Sequence, residues 1–182
     1  MSKPTARVLS RTEFIALIAA IMSLNALAID VMLPALPHMS EALDVTAENQ
    51  RQFVISIYMI GFGLGQLVVG PLSDRFGRRA PLLVGIGIYI VAVLAAALAS
   101  NFAILLAMRF IQGLGASATR VVATAVVRDR FAGRAMAEVM SLVFMVFMVV
   151  PVVAPSIGEV LLLVGPWQSI FVFMGTLALV FG

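Results

Sequence analysis

The sequence predicts an all-α fold, a polytopic transmembrane helix bundle of six helices, and three observations predict it. Hydrophobic residues make up 62% of the chain and charged residues only 12%, with a mean hydropathy of +1.11. A water-soluble domain of 182 residues would lack the polar surface to cover itself. The apolar residues fall into six runs, near 13–36, 50–71, 80–99, 102–126, 136–164 and 167–182. The first five reach the roughly 20 residues needed to cross a hydrocarbon core about 30 Å thick. Most charges collect in the short segments between runs, and residues 1–182 read as one six-helix domain.

The first span follows Lys3, Arg7 and Arg11. Basic residues, an apolar run from Phe14 and the tripeptide Ala26-Leu27-Ala28 also describe a cleaved secretory leader. The run continues past that point to Leu36, however, and cleavage would discard Asp30. A carboxylate inside a membrane helix costs about 2.5–3.5 kcal/mol on insertion scales, so such residues usually line a cavity. Asp30 is therefore a candidate functional acid, with Ser23 on the same face. The competing reading is an acid hydrated near the outer end, four residues before Pro34 and inside a turn at Pro37-His38.

The second span carries a small, polar stripe of Gln52, Ser56, Met59, Gly63, Gln66 and Gly70, with Gly61 and Gly65 in a close-packing G-x-x-x-G pattern. Gly70-Pro71-Leu72-Ser73-Asp74-Arg75-Phe76-Gly77-Arg78-Arg79 follows as a loop. In it Gly70 lets two helices approach, Asp74 with Arg75, Arg78 and Arg79 forms a charge network at the headgroup level, and Gly77 permits a tight turn.

After the third span, the fourth holds Arg109, Gln112, Ala116 and Arg120 within about 60° of one another on the helix. This face is expected to point at a central cavity. Alternatively, Arg109 donates to backbone carbonyls of a neighbouring helix and Arg120 snorkels to the inner side. The next loop, Asp129-Arg130-Phe131-Ala132-Gly133-Arg134, echoes the chemistry of the Asp74 segment. The fifth span aligns Ser141, Met145, Met148, Val152, Pro155 and Glu159. Methionines suit a wall meeting varied apolar molecules, and Glu159 is either a second proton or cation site or a hydrated interfacial acid. Trp167, after Gly165-Pro166, is expected at the outer interface. The sixteen residues of the sixth run span only about 24 Å, which reads as a fragment's end.

The arginine distribution sets the expected orientation. The segments before span one, after span two and after span four are basic, whereas the opposite loops hold only Arg51 beside Glu41, Asp44 and Glu48. The positive-inside rule then puts the N-terminus in the cytoplasm. These arginines lack the aromatic interleaving of a nucleic-acid face, so no nucleic-acid partner is expected. With no cysteine there is no disulfide, thiol catalysis or thiolate metal site. The single histidine, His38, falls in an outer loop and no serine has a membrane-buried base beside it, so neither an enzyme nor a metal or cofactor is predicted.

The segment Gly70–Arg79 resembles the G-x-L-x-D-R-x-G-R-R loop between helices 2 and 3 of the major facilitator superfamily, with every specified position present. Asp30 through Pro34 resembles the D-x-x-x-P end of helix 1 in that family's drug:proton antiporters. Arg109, Gln112, Gly113 and Gly115 match the R-x-x-Q-G-x-G segment of its proton-coupled members. In span five Pro155 and Gly158 match the antiporter pattern G-x-x-x-G-P-x-x-G-G, while Val150, Ala154 and Glu159 depart from it. The A-P-x-x-G form resembles the bicyclomycin-resistance (Bcr/CflA) subgroup.

The resemblance implies the N-terminal half of a twelve-helix transporter of the cytoplasmic membrane, with a substrate path between two six-helix bundles. Its expected partners are a small-molecule substrate, protons, the lipid bilayer, and a missing C-terminal half or a second copy. Asp30 would couple protons, and the fixed charge of Arg109 would favour the ionised acid. A carrier for a metabolite such as a sugar or amino acid, or a stand-alone six-helix membrane protein without transport, are the other readings.

Overall fold

The computed structural model describes residues 10–45 and 47–181; Lys3, Arg7 and Gly182, which entered the readings above, lie outside them. Its α-helices are α1 (Arg11–Asp30), α2 (Leu36–Ala42), α3 (Phe53–Phe76), α4 (Arg79–Ala97), α5 (Phe102–Arg130), α6 (Gly133–Val164) and α7 (Gln168–Phe181). Short 3₁₀ turns at Leu33–Ala35 and Glu48–Gln52 precede α2 and α3. Because α1, the first turn and α2 run on as one segment, Arg11–Ala42, the described residues form the six expected helical segments, five of them long and apolar enough to cross a membrane and the sixth, α7, shorter.

Local chemistry accounts for several ends. Ser10 opens α1 with a capping box: its hydroxyl accepts from the Glu13 backbone N–H at 3.2 Å and the Glu13 carboxylate accepts from the Ser10 N–H at 2.9 Å. Asn101 caps α5 through Oδ1, which accepts from the Ile104 N–H at 2.9 Å. Pro34 and Pro37 sit in first turns, where a missing N–H costs little. They mark a change of helix type instead of the expected turn, and His38 is an exposed residue of α2 and not of a loop. The chain reverses later, where Asp44 adopts a positive φ of 53° and the Val45 N–H reaches the Ser40 carbonyl at 2.8 Å.

The second span also runs further than expected. Pro71 lies inside α3, and Gly70 to Phe76 form its last turns. The connection to α4 shrinks to Gly77, at φ 80°, and Arg78.

Helix α5 is the centre of the bundle, flanked by α3 and α4; α1 lies against α5, α6 and α7, and α4 against α7. Small residues set these distances. A Cβ on Gly113 would meet the Tyr58 carbonyl and the Phe62 nitrogen of α3, and one on Gly115 would meet Gly85 and Tyr89 backbone of α4 at 2.6 Å. The pairing of Gly61 with the Phe110 carbonyl and of Gly65 with Ser117 completes the α3–α5 contact. Gly70, by contrast, has nothing within 4 Å of an added Cβ, so it mediates no helix approach.

Two apolar clusters fill the interior. Phe14, Ile18, Met22, Ala123, Val127, Val139 and Val143 form one at the arginine-rich end, where the Phe14 and Phe131 rings lie 5.6 Å apart. The larger cluster takes in Val31, Met32, Tyr58, Tyr89, Trp167 and Phe171. Trp167 is buried, edge-on to Phe171 at 5.9 Å. The described faces of α3 and α6 that carry Leu67, Val68, Met145, Met148, Val152 and Leu163 remain exposed.

Candidate functional site

Arg109 is completely buried at the junction of α1, α3 and α5. Its Nη2 donates to the Ala28 carbonyl at 3.0 Å, Nε to the Val54 carbonyl at 3.2 Å, and Nη1 to Gln112 Oε1 at 2.7 Å. The guanidinium carbon lies 4.5 Å from the centre of the Tyr58 ring, and the Tyr58 hydroxyl donates to Asn25 Oδ1 at 2.7 Å. Burying a guanidinium is tolerable because each direction of its fork meets an acceptor. Ala28 lies in the last turn of α1, where carbonyls lack an intrahelical partner, and Val54 in the first turn of α3.

This placement corrects the expectation of a face that points at a cavity. Arg109, Gln112 and Ala116 do not face an open cavity; all three are buried between helices, and of that face only Arg120 is half exposed. Arg109 and Asp30 form no ion pair: Asp30 makes no hydrogen bond or salt bridge to any described residue and stands half-buried at the end of α1, two residues beyond the carbonyl that Arg109 holds. Ser23, seven residues before Asp30, is buried and its hydroxyl donates to the Ala19 carbonyl at 2.7 Å.

Gly158 fits against Asp30's neighbour. A Cβ there would collide with the Val31 carbonyl and stand 2.8 Å from the Pro34 ring. With Ala154 fully buried four residues earlier, the Ala154-Pro155-Ser156-Ile157-Gly158 segment is the surface that seats α6 on the α1 break. Pro155 is half-buried in this contact; Glu159, one residue on, is exposed and engages no described partner.

At the arginine-rich end the expected charge network reduces to one arginine. Arg78 donates from Nη1 to Asp74 at 2.6 Å and to the Ser73 hydroxyl at 2.8 Å, and from Nε and Nη2 to the two Asp129 oxygens at 2.8 and 3.3 Å. It joins the ends of α3 and α5 across the start of α4, and its hydrogen bonds to Asp129, then to Asp74, push its pKa up. Arg75 instead lies over the Phe76 ring at 5.3 Å, and Arg79 is exposed at the start of α4. Arg11 pairs with Glu138 at 2.9 Å.

Between α3, α5 and α6 a groove of about 500 Å³ opens beside this clamp, lined by Gln66, Gly70, Ser73, Asp74, Arg78, Arg120, Thr124, Arg128 and Phe144 among others. The Arg120 guanidinium lies 5.6 and 5.8 Å from the Phe144 and Phe147 ring centres, so it stacks on these rings beside the groove at the arginine-rich end. The stripe from Gln52 to Gly70 leads into this groove along the open side of α3. Among the described residues no three His, Asp or Glu side chains converge as metal ligands would.

Asn25 and Tyr58 escaped the sequence reading. Asn25 had a signal, a polar side chain within an apolar span five residues before Asp30; Tyr58 reads as an ordinary core aromatic.

The family model described as Major Facilitator Superfamily matches residues 18–182. An uncharacterized MFS-type transporter, YdgK, of Bacillus subtilis (strain 168) is 39% identical over 157 residues, 85% of this chain and 39% of the relative. Multidrug resistance protein MdtL of Escherichia coli O45:K1 (strain S88 / ExPEC) is 36% identical over 160 residues, 88% of this chain and 41% of the relative. A chloramphenicol resistance protein of Pseudomonas aeruginosa is 41% identical over 154 residues, 84% and 36% of the two chains. The chain spans about two fifths of the length of these curated relatives.

Proposed function

Because the chain belongs to the major facilitator superfamily, a family of transporters and not of enzymes, we propose that its whole protein exports drugs or similar small amphipathic molecules in exchange for protons. The membrane is the cytoplasmic one, with the arginine-rich end inside. The similarity to proteins named for multidrug and chloramphenicol resistance supports the substrate class. The observation that carries the coupling is Asp30, an acid within a membrane helix that no described cation neutralises.

The segment Arg11–Ala42 would be about 48 Å long as a helix, against a hydrocarbon core of about 30 Å. Asp30, twelve residues before its end, therefore lies within the outer part of the bilayer. A carboxylate there favours its neutral form unless water or a cation reaches it. In the outward-open state Asp30 takes a proton; in the inward-open state it releases one, and the two openings are exchanged by rocking against a second six-helix half. Arg109 and Gly158 act as positioning residues, the first gripping the carbonyl two residues before Asp30 and the second seating α6 one residue after it. For a neutral substrate the entering proton also gains from the membrane potential, about 2.3 kcal/mol per 100 mV.

The test uses the full-length protein in everted membrane vesicles. Addition of chloramphenicol or another aromatic drug is expected to collapse a preformed pH gradient, and Asp30→Asn is expected to reduce that response by at least about tenfold. A response to sugars or amino acids alone would move the chain to the metabolite carriers. An unimpaired Asp30→Asn would remove Asp30 from coupling.

A further inference from the structure

The groove at the arginine-rich end holds charge that the proton cycle does not use. Arg78, Arg120 and Arg128 line it; Arg78 is already held by Asp74 at 2.6 Å and by Asp129 at 2.8 Å, which leaves Arg120 and Arg128. Arg120 lies ten residues before the end of α5, roughly 15 Å up the groove from its mouth. Its guanidinium rests on Phe144 and Phe147 and makes no hydrogen bond or ion pair with any described residue. Arg128, nearer the mouth, has no ion-pair partner among the described residues either. A guanidinium fork with free donors, set on two aromatic rings in a groove, has the chemistry of a binding site for an aromatic anion. The ligand ring stacks on the phenyl shelf while its anionic group takes two N–H donors.

We infer that this groove is the inner mouth of the substrate path and that it selects aromatic anions over aromatic cations, with Arg120 as the selecting residue. The inference rests on the export reading and narrows its substrate class. It also changes the energetics: an anion leaving as a proton enters moves two charges in the direction favoured by a negative interior, so potential and pH gradient drive export together.

Two probes with one ring system and opposite charge test it: naphthalene-2-sulfonate and (2-naphthyl)trimethylammonium, measured by equilibrium dialysis against the purified full-length transporter. Wild-type protein is expected to bind the sulfonate at least about tenfold more tightly, the scale of one hydrogen bond to a charged group. Arg120→Gln is expected to bring the two affinities within about twofold by weakening the sulfonate alone, and Arg120→Lys to retain a preference for it. Gel filtration of each variant as a single species separates these effects from misfolding. Equal binding of the two ions, binding of neither, or a preference unchanged in Arg120→Gln overturns the inference; the last would mean that an acid of the second half pairs with Arg120. Proton release driven by neutral chloramphenicol tests export separately. Its presence beside equal ion binding leaves export standing without charge selection, and its absence beside an Arg120-dependent preference leaves the anion site standing without drug export.

Discussion

Arg109 brings α1, α3 and α5 together through one side chain, and its geometry says what a replacement must lose. The guanidinium reaches the Ala28 and Val54 carbonyls and Gln112 from three different nitrogens while lying on Tyr58. A lysine ammonium keeps the charge but is a compact point that cannot span three acceptors on separate helices. Arg109→Lys is therefore expected to cost about 2–4 kcal/mol, read as a lower unfolding midpoint of the purified full-length protein. A midpoint equal to wild type would show that charge alone suffices. The arginine itself was legible in the sequence, because a cation within an apolar span is conspicuous. Two of its partners were not, because a backbone carbonyl carries no residue identity, and the side chain that bonds Tyr58 is named only by three-dimensional proximity. For Asp30 the sequence gives the residue and its approximate depth; its separation from Arg109 needed the positions of three helices.

At the scale of elements, two glycines of the family motifs separate clearly. Gly158 lies against the Val31 carbonyl and the Pro34 ring, so Gly158→Val has to push α6 away from α1 and is expected to cost at least about 2 kcal/mol by overpacking. Gly70 has open space about it, and Gly70→Ala is expected to leave the fold intact and to raise helix stability by up to about 1 kcal/mol. Thermal unfolding of both variants checks the contrast; a destabilised Gly70→Ala would imply a contact supplied from outside this chain. The apolar run ends at Pro71, which places Gly70 at a helix end, whereas α3 continues through Pro71 to Phe76. Membrane helices tolerate an interior proline since neighbouring groups can satisfy the freed carbonyl, and hydropathy does not register a helix that emerges from the hydrocarbon with charged turns still hydrogen-bonded. The same effect moved the end of the first span from Leu36 to Ala42.

Over the whole molecule, the described ion pairs gather at one end. Arg78 clamps Asp74 and Asp129, and Arg11 meets Glu138, all among residues at the arginine-rich surface. Arg78→Gln and Asp129→Asn are expected to lower the unfolding midpoint less in combination than the sum of their separate effects. That coupling should shrink as salt is raised from about 10 mM to about 1 M, because exposed charges are screened. Fully additive effects would show that the clamp holds nothing. The six helical segments were legible from run length alone; the contact between the two echoing loops through Arg78 and Asp129 was not, and neither was the order of helices around α5, since apolar faces of similar width do not specify neighbours. The glycine contacts that set this order have a mechanical meaning. Where α3, α4 and α5 touch main chain to main chain, there are few side-chain rotamers to rearrange and little slack for sliding, so the trio behaves as a stiff lever. A lever about 30 Å tall that tilts by roughly 10° moves its far tip by about 5 Å, enough to widen or shut a slot the breadth of one aromatic ring while no bond inside the lever changes.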